Sequence, residues 1–194
     1  MPKINILDKH TADLIAAGEV VERPASAVKE LVENSIDAGA TSVTVEIQNG
    51  GISYIRITDN GCGISREDVK TAFLPHATSK IKQKDDLNSI LTLGFRGEAL
   101  ASIAAVSRVD ILTRTADETF GTRYSLEGGE QKVFDDAGCP VGTTIVVKDL
   151  FFNTPARMKF LKKNVSEGNA VADAADRMAL SHPEVSVKLI RDGK

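Results

Sequence analysis

The stretch PASAVKELVENSIDAGATSVTVEIQNGGISYIRITDNGCG, residues 24–63, joins a helical pattern to a strand hairpin. Pro24 suits a first helical turn because its φ is fixed, and Gly39 is a typical stop at the other end. The apolar residues between them follow the 3.6-residue period of a helix: Val28, Leu31, Val32 and Ile36. We therefore predict a helix from Pro24 to just before Gly39.

The residues after this helix alternate between apolar and polar. Val43, Val45 and Ile47 carry the apolar positions of 41–48, and 52–58 has the pattern of a matching strand. Asn49-Gly50-Gly51 lies between the two segments and is a turn sequence. The pattern predicts a hairpin.

The remainder of the chain mixes helices and strands without a repeat. Helices are predicted over 14–21, 65–73, 97–106, 155–161 and 165–180, and strands over 108–113, 122–126, 143–147 and 185–190. The mixture predicts an α/β (α+β) fold, a two-layer sandwich in which a mixed, mostly antiparallel sheet carries helices on one face. The other face is expected to be open or covered by something absent here.

The composition is that of an ordinary globular chain. Its 194 residues are 42% hydrophobic and 26% charged, the net charge is −3, and aromatic residues make up 5%. Direct nucleic-acid binding is disfavoured because it needs a positive field and stacking aromatics. No membrane span or secretory signal is present, so a location inside the cell is expected. Cys62 and Cys139 are expected to be reduced thiols.

Several common catalytic and phosphate-binding motifs are absent from the sequence. It contains no G-x-x-x-x-G-K-[ST], and residues 61–66 lack the third glycine of a dinucleotide loop. It also contains no G-x-S-x-G and no H-E-x-x-H. Walker, Rossmann, common hydrolase and metalloprotease functions are therefore excluded at the level of motifs.

Three polar residues lie along the predicted first helix of the opening stretch. Glu30 and Asn34 are one turn apart, so a divalent ion on the Asn34 oxygen would sit beside a water that Glu30 deprotonates. A solvated helix face is the alternative. Asp37, in the last turn, opposes the helix dipole, and pairing with Lys or Arg would offset that cost.

The segment Asp59-Asn60-Gly61-Cys62-Gly63 follows the predicted hairpin. Its two glycines allow the backbone to turn sharply and to approach a flat ligand closely. An ionised carboxylate only accepts hydrogen bonds, so Asp59 suits the exocyclic amine of adenine and repels the oxygen of guanine. A plain Asp-Asn-Gly turn is the alternative.

Glycines also flank a turn at 93–100 that runs into a predicted helix. The first amides of that helix are candidates to face phosphates, reinforced by Arg96, although a plain loop–helix junction has the same pattern. Residues 142–144 enter a strand and offer a hydroxyl to the same site. Residues 75–89 are polar with weak periodicity, which indicates either a mobile lid or a solvated loop.

These features, in this order, resemble the superfamily of gyrase, chaperone, histidine-kinase and MutL ATPases. Within it the chain most resembles the MutL mismatch-repair family through IAAGEVVERP (15–24), GFRGEAL (94–100) and FNTPAR (152–157). The resemblance covers essentially the whole chain and implies the Bergerat-type ATP-binding fold.

The resemblance implies a magnesium-dependent ATPase. In this family pattern Glu30 is the general base, Asn34 holds the magnesium ion, and Asp59 reads adenine. The other positions implied to bind ATP are Ala38, Gly63, Ile64, Thr78, Ser79, Lys80, Gly94, Phe95, Arg96, Gly97, Glu98, Ala99, Leu100 and Thr143. Of these, 96–100 line the phosphates, 78–80 belong to the lid, and Thr143 supports the adenine end.

The resemblance also implies a domain plan and partners. Residues 1–22 form an N-terminal arm, a possible dimer contact whose apolar residues are equally suited to the core, and 23–194 form the ATP-binding domain with a lid at 75–92. ATP is expected to close a homodimeric clamp that signals to the mismatch-recognition protein MutS and to a downstream nuclease or helicase. The resemblance implies that DNA is contacted mainly through transducer and C-terminal domains outside this chain. The second domain of the family is also implied to supply a lysine to the γ-phosphate, so we expect weak turnover and poor dimerisation from this chain alone. The expected location is the bacterial cytoplasm, at the nucleoid.

Three other functions share part of this pattern. A type II topoisomerase ATPase has the same site but should lack the segments at 15–24 and 152–157. A non-catalytic adenine-nucleotide sensor needs no base such as Glu30. A histidine kinase needs a phospho-accepting histidine in a four-helix pattern, and the three histidines, at 10, 76 and 182, fit none.

Overall fold

The computed structural model describes residue 5 and residues 8–80, 92–94 and 97–194, and at 9, 10, 12 and 13 it describes the backbone alone. The helices are α1 (Lys9–Val20), α2 (Pro24–Asp37), α3 (Val69–Ala72), α4 (Ala99–Ala105), α5 (Pro155–Met158) and α6 (Asn164–Ser181). The strands are β1 (Ser42–Gln48), β2 (Tyr54–Asp59), β3 (Arg108–Arg114), β4 (Gly121–Glu127), β5 (Glu130–Ala137), β6 (Gly142–Lys148) and β7 (Ser186–Arg191).

The seven strands found among the described residues form one sheet in the order β5-β4-β3-β6-β2-β1-β7. Neighbouring strands are antiparallel except β1 and β7, which pair in parallel. In this register Asp59, the last residue of β2, lies between Val43 of β1 and Thr143 of β6. The sheet therefore brings the predicted adenine-reading carboxylate next to the predicted Thr143.

One face of the sheet is buried and the other carries charges. The inward residues of the central strands are Val43, Val45, Ile47, Ile55, Ile57, Val109, Ile111, Ile145 and Val147. Val28, Leu31 and Val32 of α2 join the same core. On the opposite face Arg56 pairs with Glu46 at 2.7 Å and Arg123 with Asp110 at 2.6 Å. The predicted sandwich, with helices on one face of a mostly antiparallel sheet, is confirmed.

Helix α1 packs against α4, so the described part of the arm lies on its own domain. Ala17 and Val21 are buried, whereas Ile15 remains half exposed. Asp8 caps the helix by accepting a hydrogen bond from the Thr11 amide at 3.0 Å. Among the described residues, no helix has the length and apolar character that crossing a membrane requires.

Several elements differ from the sequence prediction. Strand β5 was not predicted because its sequence, EQKVFDDA, is an exposed, charged edge strand with little apolar alternation. The helix predicted over 65–73 is reduced to the four residues of α3, preceded by a turn in which Ser65 Oγ contacts Asp68 at 2.9 Å. The helix predicted over 155–161 ends at Met158.

Candidate nucleotide site

The carboxylate of Asp59 is held by three donors at the end of β2. Its Oδ2 atom accepts from the hydroxyl of Ser35 at 2.8 Å. Its Oδ1 atom accepts from the backbone amides of Gly61 at 2.9 Å and Thr143 at 3.2 Å. Because these donors come from α2, from the loop after β2 and from β6, the direction of the carboxylate is fixed before any ligand arrives.

The loop after Asp59 is tied to the end of α2. The amide of Cys62 donates to the carbonyl of Ala38 at 2.9 Å, and Asn60 Oδ1 accepts from the amides of Thr41 and Ser42, both at 2.9 Å. This anchoring places Ala38 directly beside the glycine turn.

Gly63 makes the sharpest bend of this loop. Its φ is +75°, and a Cβ at this position would overlap the carbonyl group of Arg114. Since backbone atoms cannot move aside as a side chain can, a glycine is required here. The close approach fixes the loop against the end of β3.

A buried hydroxyl group, that of Thr113, completes this side of the site. The amide of Ile64 donates to Oγ1 of Thr113 at 2.8 Å, and that hydroxyl lies 3.1 Å from Oγ1 of Thr143. Thr113 also donates to the carbonyl of Gly142 at 3.1 Å. Thr113 is fully buried, so it links the glycine loop to the start of β6 without contact with solvent.

The predicted base and metal ligand both lie on α2. Glu30 is partly exposed, and its Oε1 is 3.5 Å from Nζ of Lys29, which also pairs with Glu33 at 2.7 Å. Burial opposes protonation of Lys29, but the two glutamates outweigh it and raise its pKa above the ordinary value. One turn beyond Glu30, Oδ1 of Asn34 accepts a hydrogen bond from Nζ of Lys80 at 3.1 Å.

Asp37 joins this cluster at the end of α2. Its Oδ2 is 2.5 Å from Nζ of Lys80, and its two oxygens accept from the amides of Leu93 at 3.0 Å and Gly94 at 3.1 Å. Burial opposes its ionisation, but the hydrogen bonds from Lys80 and from both amides outweigh burial, so the pKa of Asp37 lies below its ordinary value. The pairing with Lys or Arg predicted for Asp37 is confirmed.

The segment that leads into α4 contacts the described start of the predicted lid. A Cβ at Gly97 would lie 2.5 Å from the carbonyl oxygen of Ala77, and Glu98 pairs with the exposed His76. Within the lid, the amide of Lys80 donates to Oγ1 of Thr78 at 3.1 Å, while Ser79 is exposed. Ala99 and Leu100 form the first turn of the seven-residue α4.

The structure places five of the residues predicted from sequence in two groups. Asn34, Lys80 and Gly94 meet at one end, and Asp59 and Thr143 meet at the other. The predicted Phe95 and Arg96, and the lid residues 81–91, lie outside the described residues. The side chain of His10 lies outside them as well, and His182 contacts Glu184 at 3.0 Å.

Three residues that contact the predicted site were absent from the sequence prediction of the site: Ser35, Asp37 and Thr113. Ser35 continues the buried stripe of α2 four residues after Leu31, and Thr113 continues the buried face of β3 two residues after Ile111. In both cases the sequence shows a hydroxyl side chain where the periodic pattern calls for an apolar one, and a buried hydroxyl needs a hydrogen-bond partner. For Asp37 the sequence offers only an unfavourable place at a helix end, which predicts a cationic partner and no place in the site.

The geometry agrees with the comparisons with known proteins. The model of the family of histidine kinase-, DNA gyrase B- and HSP90-like ATPases matches residues 22–136. The chain belongs to this family, and it forms an ATPase domain in which α2 contacts both the glycine loop after β2 and the segment before α4.

The particular relatives are DNA mismatch repair proteins. Over all 194 residues the chain is 58% identical to the DNA mismatch repair protein MutL of Agathobacter rectalis, and it covers 30% of that protein. Over 189 residues, 97% of the chain, it is 60% identical to MutL of Desulforamulus reducens and again covers 30% of the relative. The chain therefore spans less than a third of the length of these relatives.

Solved structures are similar in fold. The ATPase domain of Aquifex aeolicus MutL complexed with ADP matches with a TM-score of 0.70 and 38% identity, covering 90% of this chain and 62% of that one. The N terminal domain of a DNA repair protein matches with a TM-score of 0.76 and 29% identity, covering 93% and 53%. The chain is thus similar in both sequence and fold to MutL ATPase domains.

Proposed function

We propose that this chain binds and hydrolyses ATP as the ATPase region of a MutL-type mismatch repair protein, in which ATP switches a clamp that links mismatch recognition to downstream nucleases. The observation that carries the proposal is on α2. This helix presents Glu30 and Asn34 one turn apart, and its Ser35 donates to Asp59 at 2.8 Å. The proposed base and metal ligand therefore share one helix, and that helix also holds the proposed adenine acceptor, Asp59 of β2, through Ser35.

Adenine recognition is assigned to Asp59. A carboxylate has about four acceptor positions, and three are used by Ser35, Gly61 and Thr143. The remaining position is on Oδ2 and suits the exocyclic amine of adenine, whereas the oxygen of guanine would meet a negative charge. Around this carboxylate, the proposed contacts with the nucleotide come from Ala38, Gly63, Ile64 and Thr143.

Magnesium binding is assigned to Asn34. Its Oδ1 accepts a hydrogen bond from the ammonium of Lys80 at 3.1 Å. This contact supports the proposal, because the oxygen points toward a place where a cation is accommodated. Mg²⁺ favours oxygen ligands and keeps waters and phosphate oxygens in its remaining positions, so one side-chain oxygen is a sufficient protein contribution. When bound, the ion would neutralise charge on the phosphates.

The phosphates are assigned to the segment before α4 and to the lid. The proposed contacts are Gly94, Phe95, Arg96, Gly97, Glu98, Ala99 and Leu100 from the segment, and Thr78, Ser79 and Lys80 from the lid. The contact of Gly97 with Ala77 and the pairing of Glu98 with His76 support a joint role for the two segments.

Glu30 is proposed to act as the general base. Its carboxylate would take a proton from the attacking water, a P–O bond would form between that water and the γ-phosphorus, and the bond to the β-phosphate oxygen would break to leave ADP and phosphate. The partial exposure of Glu30 supports access of the water. A nucleotide sensor without hydrolysis would have no use for this carboxylate.

Beyond the site, we propose that 1–22 act as an arm at a dimer interface and 23–194 as the ATP-binding domain with a lid at 75–92. The proposed partners are a second copy of the protein, the mismatch-recognition protein MutS and a downstream nuclease or helicase. The proposed contacts with DNA are made mainly by regions outside this chain. The proposed location is the bacterial cytoplasm, at the nucleoid. The identity to MutL proteins over the whole chain supports these proposals.

Single-turnover hydrolysis, with the chain in excess over ATP, tests the proposed activity. We expect slow hydrolysis with magnesium, loss in excess chelator, and a decrease of about 10² to 10⁴ in Glu30→Gln while ATP analogue binding persists. The exposed Glu22 supplies the matched control, Glu22→Gln, which should keep the wild-type rate. Hydrolysis by Glu30→Gln at the rate of the control would overturn the assignment of the base.

A further inference from the structure

Asp37 connects three parts of the chain at the phosphate end of the site. Its side chain is 7% exposed, and its oxygens receive the ammonium of Lys80 and the amides of Leu93 and Gly94. Lys80 comes directly before residues 81–91, which the structure does not describe, and Leu93 and Gly94 come shortly after them. One carboxylate on α2 therefore holds the two described ends of this stretch.

The pairing of Asp37 with Lys80 is largely shielded from solvent. The side chain of Lys80 is 19% exposed, and a Cβ at Gly94 would lie 3.3 Å from its Nζ and 3.8 Å from Oδ1 of Asn34. Removing one member of such a pair leaves a charge without compensation in a poorly solvated place. The lowered pKa of Asp37 is consistent with a carboxylate that stays ionised there.

The same ammonium also contacts the oxygen assigned to magnesium. Nζ of Lys80 lies 3.1 Å from Oδ1 of Asn34, whereas a magnesium ion would lie about 2.1 Å from its oxygen ligands. Two cations on one oxygen repel each other, so a magnesium ion bound there would weaken the contact of Lys80 with Asn34. Asp37 offers Lys80 a second partner at 2.5 Å when Asn34 is taken.

We propose that Asp37 is a positioning residue that fixes Lys80 and the Leu93–Gly94 backbone against α2, and that magnesium with its nucleotide displaces Lys80 from Asn34. The first part stands on the contacts alone. The second part rests on the proposed function, because it requires a magnesium nucleotide at Asn34.

Amide hydrogen exchange measured by NMR on the nucleotide-free chain tests the first part. In Asp37→Asn the amides of Leu93 and Gly94 should exchange about tenfold faster, because each loses a charged acceptor. The matched control is Glu33→Gln, which removes a buried carboxylate from the same helix without touching either amide. Unchanged exchange at both amides in Asp37→Asn, or equal acceleration in the control, would overturn the proposal.

A measurement on the wild-type chain keeps the proposal testable if Asp37→Asn does not fold. The ammonium protons of Lys80, identified by their absence in Lys80→Arg, should exchange slowly with water in the nucleotide-free chain, unlike those of the exposed Lys132. Exchange as fast as that of Lys132 would contradict the pairing.

Nucleotide titrations test the second part. The Lys80 ammonium signal should shift when a non-hydrolysable ATP analogue is added with magnesium, and no shift on saturation would overturn the displacement. Asp37→Asn should raise the KM for magnesium ATP about tenfold with little change in kcat, whereas a fall in kcat alone would oppose a positioning role. A wild-type chain that binds no analogue would refute the proposed function and leave the exchange result intact.

Discussion

The guanidinium of Arg157 lies directly against Gly18 of α1, although 139 residues separate them in the sequence. Nη2 of Arg157 donates to the carbonyls of Leu14 at 2.9 Å and Ile15 at 3.3 Å, and a Cβ at position 18 would overlap the guanidinium. The two segments that carry the resemblance to MutL proteins, 15–24 and 152–157, are therefore in contact. Gly18 is the residue that allows this approach.

This contact predicts a coupled pair of substitutions. Gly18→Ala should lower the free energy of unfolding by about 1–3 kcal/mol, because the added methyl group displaces the guanidinium. Arg157→Ala should remove that obstacle, so the double variant should be less destabilised than the sum of the single variants. Urea denaturation of the four proteins measures the coupling. Additive effects would show that the contact carries no energy.

Substitutions at two glycines with similar positive φ angles should separate the effect of a steric clash on nucleotide binding from the effect of backbone strain on stability. Gly63→Ala should weaken binding of an ATP analogue more than tenfold, because its Cβ meets the backbone of Arg114 and the loop must move. Gly39 has a similar φ of +74° but nothing within 4 Å of its Cβ. Gly39→Ala should therefore lose stability and keep binding. Calorimetry that finds the two variants equally impaired would contradict the role of this close approach.

Ser35 is predicted to orient the adenine acceptor. Ser35→Ala removes the donor on Asp59 Oδ2, which leaves Asp59 held on Oδ1 alone by Gly61 and Thr143. We expect binding of an ATP analogue to weaken about three- to tenfold, the value of one hydrogen bond. Titration of Ser35→Ala beside Ser125→Ala, a change on the open face of the sheet, measures the effect. Equal affinities would remove Ser35 from the site.

The free energy of unfolding should decrease at acid pH, as the carboxylates of Asp37 and Asp110 become protonated. The pKa values of Asp37 and Asp110 are lowered, because hydrogen bonds from Lys80 and two amides in one case, and from Arg123 and Ser125 in the other, outweigh burial. A carboxyl with a lower pKa in the folded state contributes stability that is present above its unfolded pKa and is lost as pH falls through the folded one.

Urea denaturation from about pH 6 down to about pH 3 checks this sign. The free energy of unfolding should decrease below about pH 4, near the unfolded pKa of aspartate, and the decrease should be smaller in Asp110→Asn than in the wild-type chain. Parallel curves for the two proteins would show that Asp110 has the same pKa in both states.

Local patterns in the sequence were sufficient to predict much of this fold. The 3.6-residue period of 24–37 and the alternation of 41–58 each bury one face, so the helix and the hairpin follow from the residues themselves. Strand β5 does not follow in this way, because an edge strand is held by its neighbour β4 and needs no apolar alternation of its own. The parallel pairing of β7 with β1 likewise could not be predicted from local patterns, because it depends on how the chain runs between the two strands.

The candidate site was predicted where the proposed chemistry requires a particular residue type, and Glu30, Asn34 and Asp59 remain predictions of that kind. The partners that hold these residues could not be predicted, because they come from distant elements. Asp59 is held by Thr143, 84 residues away, and Asn34 accepts from Lys80 across a stretch of 46 residues. Such contacts depend on the sheet order and on the path between elements.

The most direct test of the ATPase site is calorimetric titration of the chain with magnesium and a non-hydrolysable ATP analogue, repeated with the GTP analogue and with Asp59→Asn. We predict binding that strongly favours the adenine nucleotide and weakens by about tenfold or more in Asp59→Asn, because that variant loses a charged acceptor. Equal affinity for the two nucleotides, or undiminished affinity in Asp59→Asn, would contradict the assignment of Asp59 as the residue that reads adenine.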